Sequence, residues 1–268
     1  MIKNTFKFFV YIFSLIGLIF VVVFVIFKLG LITNDGIEQD SDYFDKSRSL
    51  ISDQKFNWMN TNEYTVLKNV LSQEKDILLK VENETGIKSR LIIAILFVEQ
   101  MRLYNSNTEI FKKIFEPLKI LGVQSQFSWG ILGLKQDTLM QIEKNLKDST
   151  SAFYLGQSYE NLLDFSSDNH DSERFNKATD EDNHYYTYLY ASLFIKQIEK
   201  QWENAGFNIS NKPEVLATLY NIGFSHSLPN NNPKVGGSIM DIGGQELSFG
   251  ELAYQFYFSD ELIDVFPR

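Results

Sequence analysis

Residues 86–100, GIKSRLIIAILFVEQ, decide how this chain folds. The apolar portion, 91–98, is nearly continuous, which is the pattern of a helix buried on most sides rather than one lying half-exposed on a surface. Gly86 marks a turn before it, and Glu99 is the one carboxylate it delivers, at its far end. A carboxyl beside so much hydrocarbon is expected to hold its proton to higher pH, because desolvation penalises the charged form. A carboxyl protonated near neutrality can serve as a general acid. The plainer alternative is that Glu99 opens the solvent-exposed last turn of a core helix.

Outward from this segment, apolar residues recur at helical spacing: Val66, Leu67, Val70 and Leu71, then Ile77, Leu78 and Val81. Helices are expected over 62–84, 88–103, 108–118, 135–146, 150–164, 184–204, 212–222 and 248–258. Alternating apolar and polar runs are scarce, so little sheet is expected and the fold class reads as mostly α. The stretch 164–182, DFSSDNHDSERFNKATDED, is polar and nearly free of large aliphatics, which suits a surface insertion. Asn, Pro and Gly crowd 230–250, marking an irregular loop before the last helix.

The N-terminus supplies the compartment. Residues 8–27, FFVYIFSLIGLIFVVVFVIF, carry no charge, and twenty residues at about 1.5 Å each span roughly the 30 Å hydrocarbon layer. The run exceeds the h-region of a signal peptide and no small-residue cleavage site follows it, so an uncleaved single-pass transmembrane anchor is expected. Lys3 and Lys7 precede it and only Lys28 closely follows. That bias puts residues 1–7 in the cytoplasm and the body of the chain on the extracytoplasmic, or periplasmic, side of the cytoplasmic (inner) membrane. Residues 28–61 are polar and acidic, as in a stalk, which leaves 62–268 as the folded domain. With 34 acidic against 25 basic residues and no long basic block, nucleic acid is not an expected partner. There is no cysteine, so thiolate chemistry and disulfides are excluded. His170, His184 and His226 lack the i, i+4 spacing of paired metal ligands, and no metal or cofactor is expected.

Two further segments carry polar residues at turns. Residues 128–136, SWGILGLKQ, place Gly130 and Gly133 where the backbone can turn and another group can approach closely; Gln136 offers an amide. Residues 213–223, PEVLATLYNIG, end in Tyr220, Asn221 and Gly223. Each could equally be a glycine turn capping a helix.

Taken in order, the three segments resemble the lysozyme-like superfamily, in particular the SLT-type lytic transglycosylases and the goose-type lysozymes. The first is similar to the family's buried helix ending in a catalytic glutamate. The segment 128–136 resembles the family's Ser-x-Gly-Ala-x-Gly-Leu-Met-Gln, matching at Ser128, Gly130, Gly133, Leu134 and Gln136. The segment 213–223 is similar to Ala-Tyr-Asn-Ala-Gly, with Tyr220, Asn221 and Gly223 retained. Residues 152–163, AFYLGQSYENLL, resemble a family helix with a central glycine, here Gly156, against which another helix would pack. This chain departs from the family at Gln100, where serine is usual, and at Ile131 and Lys135, for alanine and methionine; no proline follows Gln136.

The resemblance implies a lysozyme-like helical domain acting on peptidoglycan glycan strands. It implies cleavage of the MurNAc–GlcNAc bond by lytic transglycosylation, with Glu99 as acid and then base. Ser128, Gly130, Gly133 and Gln136 would meet substrate, and Tyr220 with Asn221 would orient Glu99. Two alternatives stand beside it. A muramidase hydrolysing the same bond would need a second carboxylate, for which Glu109, Glu116 and Asp137 are candidates. A non-catalytic glycan-binding scaffold would need none.

Overall fold

The computed structural model describes residues 38–48, 51, 54–105 and 128–268, with isolated helical positions at 11, 14, 17, 18 and 21. The chain divides into two compact units, 1–35 and 36–268. Most of the 8–27 run and the expected helix 108–118 lie outside the described residues, and among the described residues no helix is long and apolar enough to cross a membrane.

The second unit is mostly helical and is built around the deciding segment. Gly86, in the left-handed region at φ 74°, ends one helix, and the Glu82 carboxylate of that helix accepts from the Ser89 backbone N–H at 2.8 Å and its hydroxyl at 2.6 Å, capping the next. The helix that follows, Ser89–Asn105, buries Ile92, Ile93, Ala94, Ile95, Phe97 and Val98 completely. Numbered in chain order, the helices are α1 (Ser41–Ser47), α2 (Asn62–Gln73), α3 (Lys75–Thr85), α4 (Ser89–Asn105), α5 (Gln136–Lys147), α6 (His170–Thr179), α7 (Tyr185–Asn204), α8 (Pro213–Ile222) and α9 (Phe249–Phe258). Helices α2, α3, α7 and α9 pack around α4. Three two-stranded antiparallel sheets complete the described part: β1 (Gln39–Asp40) with β4 (Lys234–Val235), β2 (Ser128–Trp129) with β3 (Leu134–Lys135), and β5 (Ile239–Ile242) with β6 (Gln245–Ser248).

Several expectations need correction. The single helix 62–84 is two, because the backbone at Glu74 leaves helical geometry at φ −80°, ψ 0°. Its two halves bury Tyr64, Leu67 and Leu71, then Leu78, Val81 and Thr85, while Val66 and Val70 face solvent. No α-helix covers 150–164. Asp148 accepts from the Thr150 N–H at 3.0 Å and Ser151 from the Phe153 N–H at 3.2 Å, local bonds that compete with a helix. Gly156 sits at φ 101° with open space where a Cβ would be, so it serves a turn and not a helix crossing. The close crossing is at Gly250, where a Cβ would run into the Thr218 hydroxyl and the Glu214 carbonyl, bringing α8 and α9 together.

The expected stalk belongs in part to the domain, which begins near Gln39 and not at 62. Strand β1 pairs with β4, and Phe44 on α1 meets the Tyr254 ring edge-on at 4.9 Å. Trp58 is fully buried among Phe97, Phe256 and Tyr64, its indole N–H bonded to Gln255 at 3.0 Å. The polar stretch 164–182 contains α6, whose Arg174 is buried and forks onto the Glu143 carboxylate of α5 through two 2.7 Å bonds.

Arg90, at the start of α4, has no exposed surface. Its guanidinium donates to five backbone carbonyls, those of Phe256, Tyr257, Ser259, Glu261 and Phe266, at 2.7–3.1 Å. Phe256 and Tyr257 lie in the last turn of α9 and Ser259 caps it, where carbonyls are left over and the helix dipole also favours a cation; Glu261 and Phe266 lie in the segment that follows. Burial lowers the Arg90 pKa to about 10, so it remains charged at neutral pH.

Burial and one hydrogen bond also fix the sign of the pH dependence. Glu214 is fully buried on α8 and meets Arg48 at 3.3 Å, yet desolvation outweighs that cation and pushes its pKa up to about 7; burial does the same to Glu199. His184 is raised as well, chiefly by its hydrogen bond with Glu74. All three bind protons more tightly folded than unfolded, so the stability they contribute is present at pH 5 and is lost as pH rises toward 8. For Glu214 the change is about 3 kcal/mol at most, at 1.36 kcal/mol per pKa unit. Thermal melts should therefore fall between pH 5 and 8, and Glu214→Gln should flatten the fall.

Candidate functional site

Glu99 lies in the fourth turn of α4 and is 3 % exposed. Its carboxylate faces the turn between β2 and β3. At Gly133, whose φ of 63° is left-handed, a Cβ would sit 3.0–3.3 Å from the Glu99 carboxyl atoms, so main chain lies directly on the carboxylate and a side chain there would crowd it.

Two side chains hold that turn in place. The Tyr220 hydroxyl, from the last turn of α8, donates to the Leu132 carbonyl at 2.8 Å. The Gln100 amide donates to the Ile131 carbonyl at 2.6 Å. Gln100 replaces the serine usual in the resembled family, and its longer side chain reaches the turn. Burial, and after it the nearby Glu99 charge, raises the Tyr220 pKa well above its ordinary value, so the phenol stays a neutral donor.

Arg102, one turn beyond Glu99 on the same helix, grips it. Its Nε and Nη2 donate to the same carboxylate oxygen at 3.0 and 2.7 Å. Sequence reasoning passed over this residue, although i, i+3 spacing on a helix was enough to suggest the pair. Its side chain is 26 % exposed, against 5 % for that of Glu99, so the ion pair has one buried and one accessible end. The cation favours the charged carboxyl and burial opposes it.

The remaining expected residues divide. Ser128 lies in β2, paired with Lys135. Gln136 opens α5, half-buried, and Lys135 beside it is exposed. At Gly130, φ 63°, the space a Cβ would need is filled by the Ala178 carbonyl at the end of α6, so protein backbone approaches this glycine on that side. Gly130→Ala should therefore overpack the contact and strain the turn, costing about 2–3 kcal/mol in a melting experiment. Asn221 points away from the role expected of it: its side-chain oxygen accepts from the Ser238 N–H at 2.9 Å and hydroxyl at 3.1 Å, fastening the loop before β5. Of the candidate second carboxylates, Asp137 is exposed on the first turn of α5, and Glu109 and Glu116 lie outside the described residues. Among the described residues no three His, Asp or Glu side chains gather as a metal ligand set.

The arrangement is a buried carboxylate within α4, six residues before its end, covered by glycine backbone and flanked by a neutral phenol and a guanidinium, which suits proton transfer to a group held against that turn. No protein-family model matches this chain, and no curated protein or solved structure does either.

Proposed function

We propose that this chain is a membrane-anchored, peptidoglycan-cleaving enzyme with a lysozyme-like helical domain, which cuts the MurNAc–GlcNAc bond by lytic transglycosylation. Glu99 gives its proton to the glycosidic oxygen as the bond breaks, with the sugar's own N-acetyl group assisting departure. The resulting carboxylate then takes the proton of the C6 hydroxyl as that oxygen closes a 1,6-anhydro ring. The run 8–27 anchors the enzyme in the cytoplasmic membrane with its domain on the extracytoplasmic side.

One observation carries this reading. Gly133 and Tyr220, from two segments far from Glu99 in the chain, both lie beside its buried carboxylate. A second reading, a domain that binds glycan without cutting it, is favoured by the Arg102 ion pair, since a guanidinium at 2.7 Å stabilises the charged form of this carboxyl and so opposes its holding a proton to give.

Mass spectrometry of muropeptides released from purified peptidoglycan by the solubilised full chain separates the readings. Anhydromuramic ends that depend on Glu99 are the expected result, and reducing ends would move the assignment to hydrolysis. The absence of any Glu99-dependent release would leave the binding domain.

A further inference from the structure

Between the C-terminal half of α7, the loop that follows it and the turn at 155–159 lies a cavity of about 350 Å³, open to solvent. Its size is at the small end of ligand sites. Leu155, Phe207 and Ile209 give it apolar walls, and from α7 Lys196 and Glu199 bring it charges of opposite sign. None of the residues that line it belongs to the Glu99 site.

Two other charges on this stretch of α7, Lys200 and Glu203, satisfy each other at 2.8 Å. Lys196 and Glu199 are three residues apart and so neighbours on the helix surface, yet among the described residues neither makes an ion pair or a hydrogen bond. The Lys196 ammonium lies 5.5 Å from the centre of the Tyr159 ring, beside the glycine that ends α3. Glu199 is half-buried, and no hydrogen bond offsets the water it has lost. Burial, against the pull of Lys196, pushes its pKa up to about 7. Enclosed polar groups are normally satisfied, so a carboxylate and an ammonium that line one cavity without pairing call for a partner carrying both charges.

We propose that this cavity binds a free α-amino acid with an apolar side chain, its ammonium on Glu199, its carboxylate on Lys196 and its side chain against Leu155, Phe207 and Ile209. A simple amine would leave Lys196 unanswered, and a simple acid would leave Glu199. A zwitterion meets both and brings no net charge to an apolar wall. The inference is independent of the glycan-cleaving reading.

Isothermal titration calorimetry of the solubilised full chain with leucine, methionine and phenylalanine tests it. At least one should bind at one per chain, with a dissociation constant of about 1 mM or tighter. The N-acetyl derivative of that amino acid, which lacks the ammonium, and the amide, which lacks the carboxylate, should each bind about 10-fold or more weakly, the usual worth of a hydrogen bond between charged groups. Glu199→Gln and Lys196→Met should each weaken the amino acid by a similar factor. In Glu199→Gln the penalty for acetylation should disappear, because the partner of the ammonium is gone, and in Lys196→Met the penalty for amidation should disappear. Glu199→Asp keeps the charge on a side chain one bond shorter; it should bind more tightly than Glu199→Gln and serves if the glutamine variant melts early.

Bound amino acid should also raise the melting temperature of the parent more than that of either variant. No heat and no thermal shift with any of the three at about 10 mM would overturn the proposal, since even weak specific sites fill at that concentration. Binding that survives both substitutions unchanged would put the ligand elsewhere and overturn it as well. Derivatives that bind as tightly as the amino acid itself would remove the zwitterion, and the proposal with it.

Discussion

Glu99→Gln is expected to lower muropeptide release by about 10²–10⁴-fold, the range contributed by a positioned general acid. The substitution isolates the proton. Glutamine fills the same space beneath Gly133, and its amide oxygen still accepts from Arg102, so the turn and its two tethers remain. Tyr220 and Gln100 hold the Leu132 and Ile131 carbonyls whatever stands at position 99. Stability should change little, by about 1 kcal/mol or less, because the glutamine oxygen can keep the Arg102 bond and the guanidinium is partly exposed to water. A variant that melts like the parent but releases nothing identifies a chemical role. A variant that releases muropeptides at the parent rate would end the acid assignment.

The largest effect on stability is expected at Arg90. Replacing it with methionine keeps much of the side-chain volume and removes every donor, leaving five buried or half-buried carbonyls at and beyond the end of α9 without their shared partner, although Arg268 still reaches those of Tyr257 and Ser259. Removing one side of a buried charge network costs about 3–5 kcal/mol, which for a domain of this size lowers the melting temperature by roughly 10 °C. Lysine should recover only part of this, since an ammonium is a point charge and cannot address carbonyls on several sides of a plane. Thermal melts of the three proteins at one pH provide the check.

Much of the helical framework is legible in the sequence because burial leaves a plain signature. A run such as 91–98 has few alternatives to a core helix, and α5, α7, α8 and α9 fall within a residue or so of their expected limits. Local chemistry is the harder part. The Asp148 and Ser151 turns are written in the sequence, but Leu155, Tyr159, Leu162 and Leu163 imitate helical spacing. The β5–β6 hairpin, turned at Gly243 and Gly244 with φ of 62° and 77°, also has its signal in a Gly-Gly pair flanked by IMDI and QELS. A loop assigned from composition conceals it.

Motif order foretells that Glu99, Gly133 and Tyr220 lie together, whereas the contacts of Asn221 with Ser238 and of Gly130 with Ala178 are not written in it. No pattern distinguishes a glycine that admits a sugar from one that admits the Ala178 carbonyl. That distinction depends on where α6 lies, and α6 is hidden in a stretch too polar to suggest a packed helix.

The clasp at Arg90 also has a consequence in time. Phe266 is 176 residues beyond Arg90, and β1 meets β4 across a comparable span, with Asp40 and Lys234 separated by 194. At 5–20 residues per second, synthesis takes roughly 10–35 s to deliver the carbonyls that the guanidinium needs. Throughout that interval α4, apolar on every side, has no α9 to cover it. The domain therefore completes its core late, with its most water-averse helix waiting for the last-made stretch, and a chain halted before residue 266 would lack one of the carbonyls that its buried cation uses.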